Sequence, residues 1–282
     1  MGVFAAIQMT SCLAIGPNLM QAKMQILKAA EQGAKFILLP EHFAYFPRHS
    51  SDFLRAAEVF GGTDREQSRI QFFLSDMAEL TGCYIAGTVP LLAENLGSSE
   101  SPATPEKVFQ SLLVFDPAGK AVARYDRSHL FHGEGSRSLG VIGQEGLFVQ
   151  SGDSRNPVVL DTPLGRIGLA IGFDWRFPNF FQALRQKGAQ IILLPSSSSY
   201  ALADAHWHIL MGARAIENQV FVVAANQYGL HDNHQESYGE SLILGPWGDV
   251  LDHIEQGVGP VLAEIDLLHL EVLREEFLVV ER

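Results

Sequence analysis

The sequence predicts an α/β protein built as a four-layer αββα sandwich, on two observations. Short apolar runs rich in Val, Ile, Leu and Phe alternate with longer segments of helical period, as layered α/β folds require. The strings QGAKFILLP (32–40) and KGAQIILLP (187–195) nearly repeat each other half a chain apart, each passing from a helix through Gly into a buried strand that ends at Pro. Convergence at any helix-to-buried-strand junction would produce such a pair. So would two similar halves, each a sheet with helices on its outer side, packed sheet against sheet. A solenoid would need more copies at a shorter period.

In chain order, strands are expected at 3–9, 36–40, 83–89, 111–116, 121–126, 158–162, 166–171, 191–195, 220–226 and 241–246. Each is a run of β-branched, aliphatic or aromatic residues bounded by turn formers. Helices fit 17–32, 65–80, 179–187 and 204–218; Pro17 or Asn18 can start the first and Gly33 can end it. Asp116-Pro-Ala-Gly119 and Gly245-Pro-Trp-Gly248 each separate two strand-like runs, so both read as hairpin turns and some antiparallel pairing is expected. LGSSESPATPE (96–106) has the composition of an exposed loop. The whole chain, 1–282, reads as a single domain.

Composition narrows the function classes. With 47% hydrophobic and 18% charged residues the chain has the balance of a soluble globular protein. Its 32 acidic residues outnumber 20 basic ones, and no basic cluster could follow a phosphate backbone or an anionic membrane, so neither nucleic acid nor membrane is an expected partner. No apolar stretch approaches a spanning length, no basic region precedes the apolar start, and Ala6 breaks the myristoylation pattern that Gly2 begins; a cytoplasmic location is expected. The two cysteines, Cys12 and Cys83, form no CxxC pair and imply neither a disulfide framework nor a zinc site. Ten histidines call for a test of metal binding: His129 and His132 lie between a strand and glycines, His206 and His208 on different faces of a helix, and His231 and His234 in what reads as a solvated turn. No metal or other cofactor is expected.

Polar residues just past an apolar run mark the carboxyl edge of a sheet, where α/β folds collect ligands. Four places qualify. Glu41 and His42 follow FILLP; Arg127 and His129 follow the run AVARYD, with Glu134 and Glu145 in the loop beyond. Gly172, Phe173, Asp174, Trp175 and Arg176 follow RIGLAI, and Ser196–Ser199 follow IILLP. A glutamate at a buried strand end suits proton transfer, though a capping carboxylate looks the same in sequence. The serine run lacks a glycine-flanked elbow and is expected to supply hydrogen bonds, Ser197 among them to a ligand. Asp174 and Glu217 also read as buried carboxylates bracing strand ends. Phe43, Tyr45, Phe46, His129, Phe173 and Trp175 could line an aromatic pocket or simply pack, and Arg176 could hold a carboxylate or form a structural ion pair.

These pieces, AAIQMTS, GAKFILLPEHF, YDRSHLF, GLAIGFDWRFP, HWHILMGARAIENQVFVVAAN and ESLILGPWGDVL, together resemble the nitrilase superfamily of carbon–nitrogen hydrolases over nearly the whole chain. The resemblance implies the αββα sandwich, usually dimerised. It also implies hydrolysis of amides, nitriles or carbamoyl compounds through a thioester, using Glu, Lys and Cys with a second Glu beside them. Position by position, the first glutamate matches Glu41, and the second matches Glu145 or, less closely, Glu134. The lysine of a YxKxHLF-like motif is Arg127 here, and the cysteine of a GLxICYDxRFP-like motif falls on Gly172.

Two departures in one constellation carry the functional expectation. Glycine has no nucleophilic atom, so the thioester route is closed. Arginine, with a pKa above about 12, keeps the charge of lysine but cannot shuttle its proton. Three readings follow: a catalytically silent homologue that binds a small amide, nitrile or carboxylate-like ligand or a partner; an enzyme using a water in the space at Gly172 between Glu41 and Glu145; or an inactive subunit of a larger assembly. His129, Phe173, Asp174, Arg176 and Ser197 are the expected ligand-contacting residues, and a homodimer is the expected assembly.

Overall fold

A computed structural model describes residues 1–93, 107–131 and 145–277. The loop expected at 96–106, together with His132 and Glu134, lies outside the described residues. The first half of the chain gives β1 (Gly2–Gln8), α1 (Ile15–Glu31), β2 (Phe36–Leu38), α2 (Arg69–Thr81), β3 (Tyr84–Leu92), β4 (Val108–Phe115) and β5 (Ala121–Asp126). The second gives α3 (Glu145–Phe148), β6 (Val159–Thr162), β7 (Gly165–Leu169), α4 (Pro178–Gln186), β8 (Ile191–Ser196), α5 (Tyr200–Asn218) and β9 (Phe221–Asn226). It closes with β10 (Tyr228–Leu230), β11 (Glu236–Tyr238), β12 (Ser241–Leu244), β13 (Val250–Ile254), β14 (Gly259–Ile265) and α6 (Leu267–Glu276).

Two six-stranded mixed sheets result, ordered β14-β1-β2-β3-β4-β5 and β13-β12-β9-β8-β7-β6. Strand alternation assigns the faces. Phe4, Ala6, Phe36, Leu38, Leu112 and Val114 point into a core shared with the second sheet, whereas Ala5, Ile7, Ile37, Ile85 and Leu113 pack on α1 and α2. On α1 the buried residues Ala22, Ile26 and Ala29 recur at helical spacing and form the stripe that seats it on the sheet. On the other side, Trp207, Met211 and Ala215 of α5 and Phe181 and Leu184 of α4 join the shared core. Helices therefore cover the outer face of each sheet, as the αββα expectation requires.

The repeated strings do equivalent work. Gly33 (φ +95°) and Gly188 (φ +91°) take left-handed conformations that end α1 and α4, and Ala34 N–H and Ala189 N–H then bond back to the carbonyls of Ala29 and Leu184. β2 lies parallel between β1 and β3, and β8 parallel between β7 and β9. Both turn expectations hold: β4 pairs antiparallel with β5, and β12 with β13.

Sequence patterning missed β10, β11, β13, β14, α3, α6 and the short 3₁₀ turns at Ser50–Ala56 and Gly172–Arg176. β13 exposes much of its length, so no apolar run marks it. β14 begins Gly-Pro and is stabilised by antiparallel pairing with β1 from the opposite end of the chain, which no local pattern reports. Glu217 is a correction: its side chain is 42% exposed on α5 and pairs with Arg214, so it braces no strand end. No helix among the described residues is long and apolar enough to cross a membrane.

Candidate active site

The carboxyl ends of β2, β5, β7 and β8 converge, and the four places singled out in the sequence meet there. Glu41, two residues beyond Leu39, has its carbonyl held by the Gln227 side-chain amide at 2.9 Å. His42 takes a left-handed backbone (φ +61°), and its N–H donates to Thr88 Oγ1. Arg127 follows β5 directly. Its Nη1 donates to Glu41 Oε1 and its Nη2 to Glu145 Oε2, each at 2.8 Å, and all three side chains are nearly fully buried. Glu145 opens α3, and its Oε2 also accepts the Phe131 N–H at 3.0 Å. The other oxygen of Glu41 accepts the Ser197 hydroxyl at 2.8 Å.

Gly172 is where β7 turns into the 3₁₀ segment, with φ +48°. A Cβ built there would lie 2.6 Å from Glu41 Oε2 and 2.7 Å from Oε1, closer than real Cβ contacts come. The Glu41 carboxylate thus occupies the direction a side chain at Gly172 would take, and Glu41 and Glu145 are bridged by Arg127. A cation spanning two buried acids is the lower-energy arrangement, because a bare carboxylate in the interior is costly.

Charge states follow from this packing. Burial pushes the Glu41 carboxyl above its ordinary range, opposed by Arg127 and by the Ser197 hydrogen bond. Burial works against the charge of Arg127, but Glu145 and Glu41 on either side outweigh it and hold the guanidinium above the usual arginine range. His42, buried beside Arg127, is depressed to about 3 by desolvation first and by the arginine second.

A pocket with a volume of about 90 Å³ opens over this cluster. Glu41, Arg127, Glu145, Gly172, Phe173, Arg176 and Ser197 all line it, as do Phe46 and Trp175. His129 and Asp174, expected to touch a ligand, do not line it. Asp174 is fully buried and accepts from Ile171 N–H, Tyr125 OH and His129 N–H, while His129 Nδ1 lies 2.7 Å from Asp174 Oδ1 and its ring stacks on Phe177. This pair braces the start of the 3₁₀ segment from behind, as expected for a carboxylate holding a strand end. Phe43 and Tyr45 also lie outside the lining, whereas His42, picked out beside Glu41, lines it, and Phe131, Leu202 and Gln235 are wall residues the sequence did not single out.

The reading of His231 as part of a solvated turn is corrected. It is 4% exposed, with Nδ1 against Ser11 O and Nε2 against Ser237 Oγ, and its ring stacks 3.7 Å from Phe46. Among the described residues, no group of three or more His, Cys, Asp or Glu side chains is placed to hold a metal ion. Cys12 and Cys83 are both free and neither lines the pocket.

The two buried imidazoles give a pH prediction. For a histidine depressed on folding, the unfolded chain takes up a proton from pH 6.5 downward, while folded His42 does so only near pH 3. Stability should therefore fall across that window, by on the order of a few kcal/mol. His231 is depressed in the same direction, and the raised carboxyl of Glu41 acts oppositely. Thermal midpoints of the parent and H42Q, compared on acidification, should show a shallower decline in the variant; equal slopes would refute the assignment.

A family model described as "Carbon-nitrogen hydrolase" matches residues 4–275. A deaminated glutathione amidase from Yersinia enterocolitica is 30% identical over 269 residues, covering 94% of this chain and 86% of that protein. The nitrilase and fragile histidine triad fusion protein NitFhit from Caenorhabditis elegans is 34% identical over 279 residues, covering 96% of this chain and 58% of that protein. Its crystal structure superposes with a TM-score of 0.81, over 98% of this chain and 63% of that one. Nit3 from Saccharomyces cerevisiae, described as a member of branch 10 of the nitrilase superfamily, has a TM-score of 0.83 at 25% identity, covering 99% of this chain and 95% of that one.

Proposed function

Because the chain belongs to the carbon–nitrogen hydrolase family, the nitrilase superfamily, we propose that it is a member in which Gly172 stands at the nucleophile's position and Arg127 at the lysine's. On this reading the chain binds a small amide, nitrile or carboxylate-like molecule without hydrolysing it through a thioester. The observation that carries the reading is the Glu41 carboxylate, held by Arg127 and Ser197 directly over Gly172, where a Cβ has no room. A thioester needs a sulfur at that point, and no thiol lines the pocket among the described residues. Arg127, tied to two carboxylates, keeps a fixed positive charge and exchanges no proton at neutral pH.

Glu41, Arg127, Glu145 and Gly172 are then the remnant of the reaction centre, and Phe173, Arg176 and Ser197 are ligand contacts. His129 and Asp174 act at one remove, by positioning the 3₁₀ segment. A single domain, a homodimer and a cytoplasmic setting complete the proposal. Incubation with a broad panel of amides, nitriles and N-carbamoyl compounds should release no ammonia or acid above a buffer blank, while thermal-shift screening of the same panel should find ligands. Turnover by a preparation free of host hydrolases would overturn the reading.

A further inference from the structure

Four serines, Ser196–Ser199, line the pocket at the end of β8, and their hydroxyls have different partners. Ser196 Oγ and Ser198 Oγ lie 2.7 Å apart and bond to each other. Ser197, half-buried in the pocket wall, instead donates to Glu41 Oε2 at 2.8 Å. The backbone on either side of it is fixed. Ser196 O accepts the Gln227 N–H, Ser198 N–H donates to the Asn226 side chain, and Ser198 O accepts the Tyr238 N–H. These bonds hold the Ser197 hydroxyl in place without the glycine-flanked elbow that positions the serine of α/β-hydrolases.

The carboxylate that Ser197 meets is itself held. Arg127 Nη1 binds the other oxygen of Glu41, Glu145 binds the same arginine, and Gln227 Nε2 binds the Glu41 carbonyl. A hydroxyl within hydrogen-bond reach of a base, with the base oriented by a third group, is the arrangement of an activated nucleophile. Burial raises the proton affinity of the Glu41 carboxyl, which suits it to take the serine proton. Going beyond the ligand-binding reading above, we propose that Ser197 is an acyl-accepting nucleophile for carboxylic esters, with Glu41 as its base. Ser197 Oγ bonds to the ester carbonyl carbon as its proton passes to Glu41; the bond from that carbon to the alcohol oxygen breaks, and the alcohol leaves with the proton. Water then adds to the acyl-serine and gives a proton to Glu41, and the carboxylic acid departs as that proton returns to Ser197 Oγ. Esters are the fitting class because an alcohol, above all a phenol, leaves more readily than an amine. An amine must be protonated to leave, and Arg127, of fixed charge, has no proton to give.

The test uses p-nitrophenyl acetate and butyrate as substrates and an alkyl fluorophosphonate as a covalent label, with the parent protein, S197A and E41Q purified identically. The parent should hydrolyse at least one ester above the buffer blank, and peptide mass spectrometry should place the phosphonate on Ser197. S197A should lose the label and fall to the blank, and E41Q should react roughly 100-fold more slowly than the parent, as removal of a general base does. No label on the parent, a label on any other residue, ester hydrolysis by S197A at the parent's rate, or labelling of folded E41Q at the parent's rate would each overturn the proposal. If E41Q does not fold, the labelled position in the parent and the rate of S197A decide the matter. The amide, nitrile and N-carbamoyl panel reports on the silent-homologue reading separately. Panel turnover that survives in S197A would remove that reading and leave Ser197 in its role, whereas an unlabelled Ser197 with a silent panel would remove only the ester proposal.

Discussion

R127M should lose about 3–5 kcal/mol of stability at neutral pH, the usual cost of stripping one partner from a buried ion cluster. Methionine fills similar space, so the loss measures uncompensated charge more than a cavity. Glu41 and Glu145 are both buried and both bonded to Arg127, and neither has a second cation among the described residues. The loss should shrink as pH falls, because a proton on Glu41 removes one of the stranded charges. R127K should lose less, since a single ammonium keeps the charge but cannot reproduce two bonds from a planar fork. Urea midpoints for the three proteins across the acid range check this. An R127M variant as stable as the parent would show that the triad is not under electrostatic load.

G172A should be nearly as damaging, at about 2–5 kcal/mol. About 1–2 comes from placing an L-residue in the left-handed region and about 1–3 from forcing a methyl into occupied space. The occupied space is specific: the nearest atoms to the new Cβ all belong to the Glu41 carboxyl group. In an E41A background the second contribution should disappear and leave the backbone cost alone. The double-mutant cycle should therefore show coupling of about 1–3 kcal/mol, as residues in contact do. Strict additivity would mean that the glycine is needed only for its φ.

Much of the site was legible before any coordinates. Glu41, Arg127, Gly172 and Ser197 each follow an apolar run, and polar residues at strand ends in an α/β protein gather at one edge. The same rule could not separate those that face the pocket from those that brace it. His129 lies two residues from Arg127, and Asp174 two from Gly172, yet they turn toward each other and Tyr125. Phe131, Leu202 and Gln235 gave no signal, because their place in the wall is set by how two loops and the start of α5 come together over the strand ends. His231 looked like a turn residue because HDNH is polar; its burial comes from Phe46 and Ser11, more than 180 positions away.

The sequence by itself determined the layers, the family and the absence of a thiol at the strand tip, since periodicity and residue identity are local properties. Only the tertiary structure decided what lies over Gly172. Three segments far apart in the chain bring Glu41, Arg127 and Gly172 within contact distance. There a buried carboxylate lies against the arginine and over the glycine, where the guanidinium offsets the cost of burying its charge.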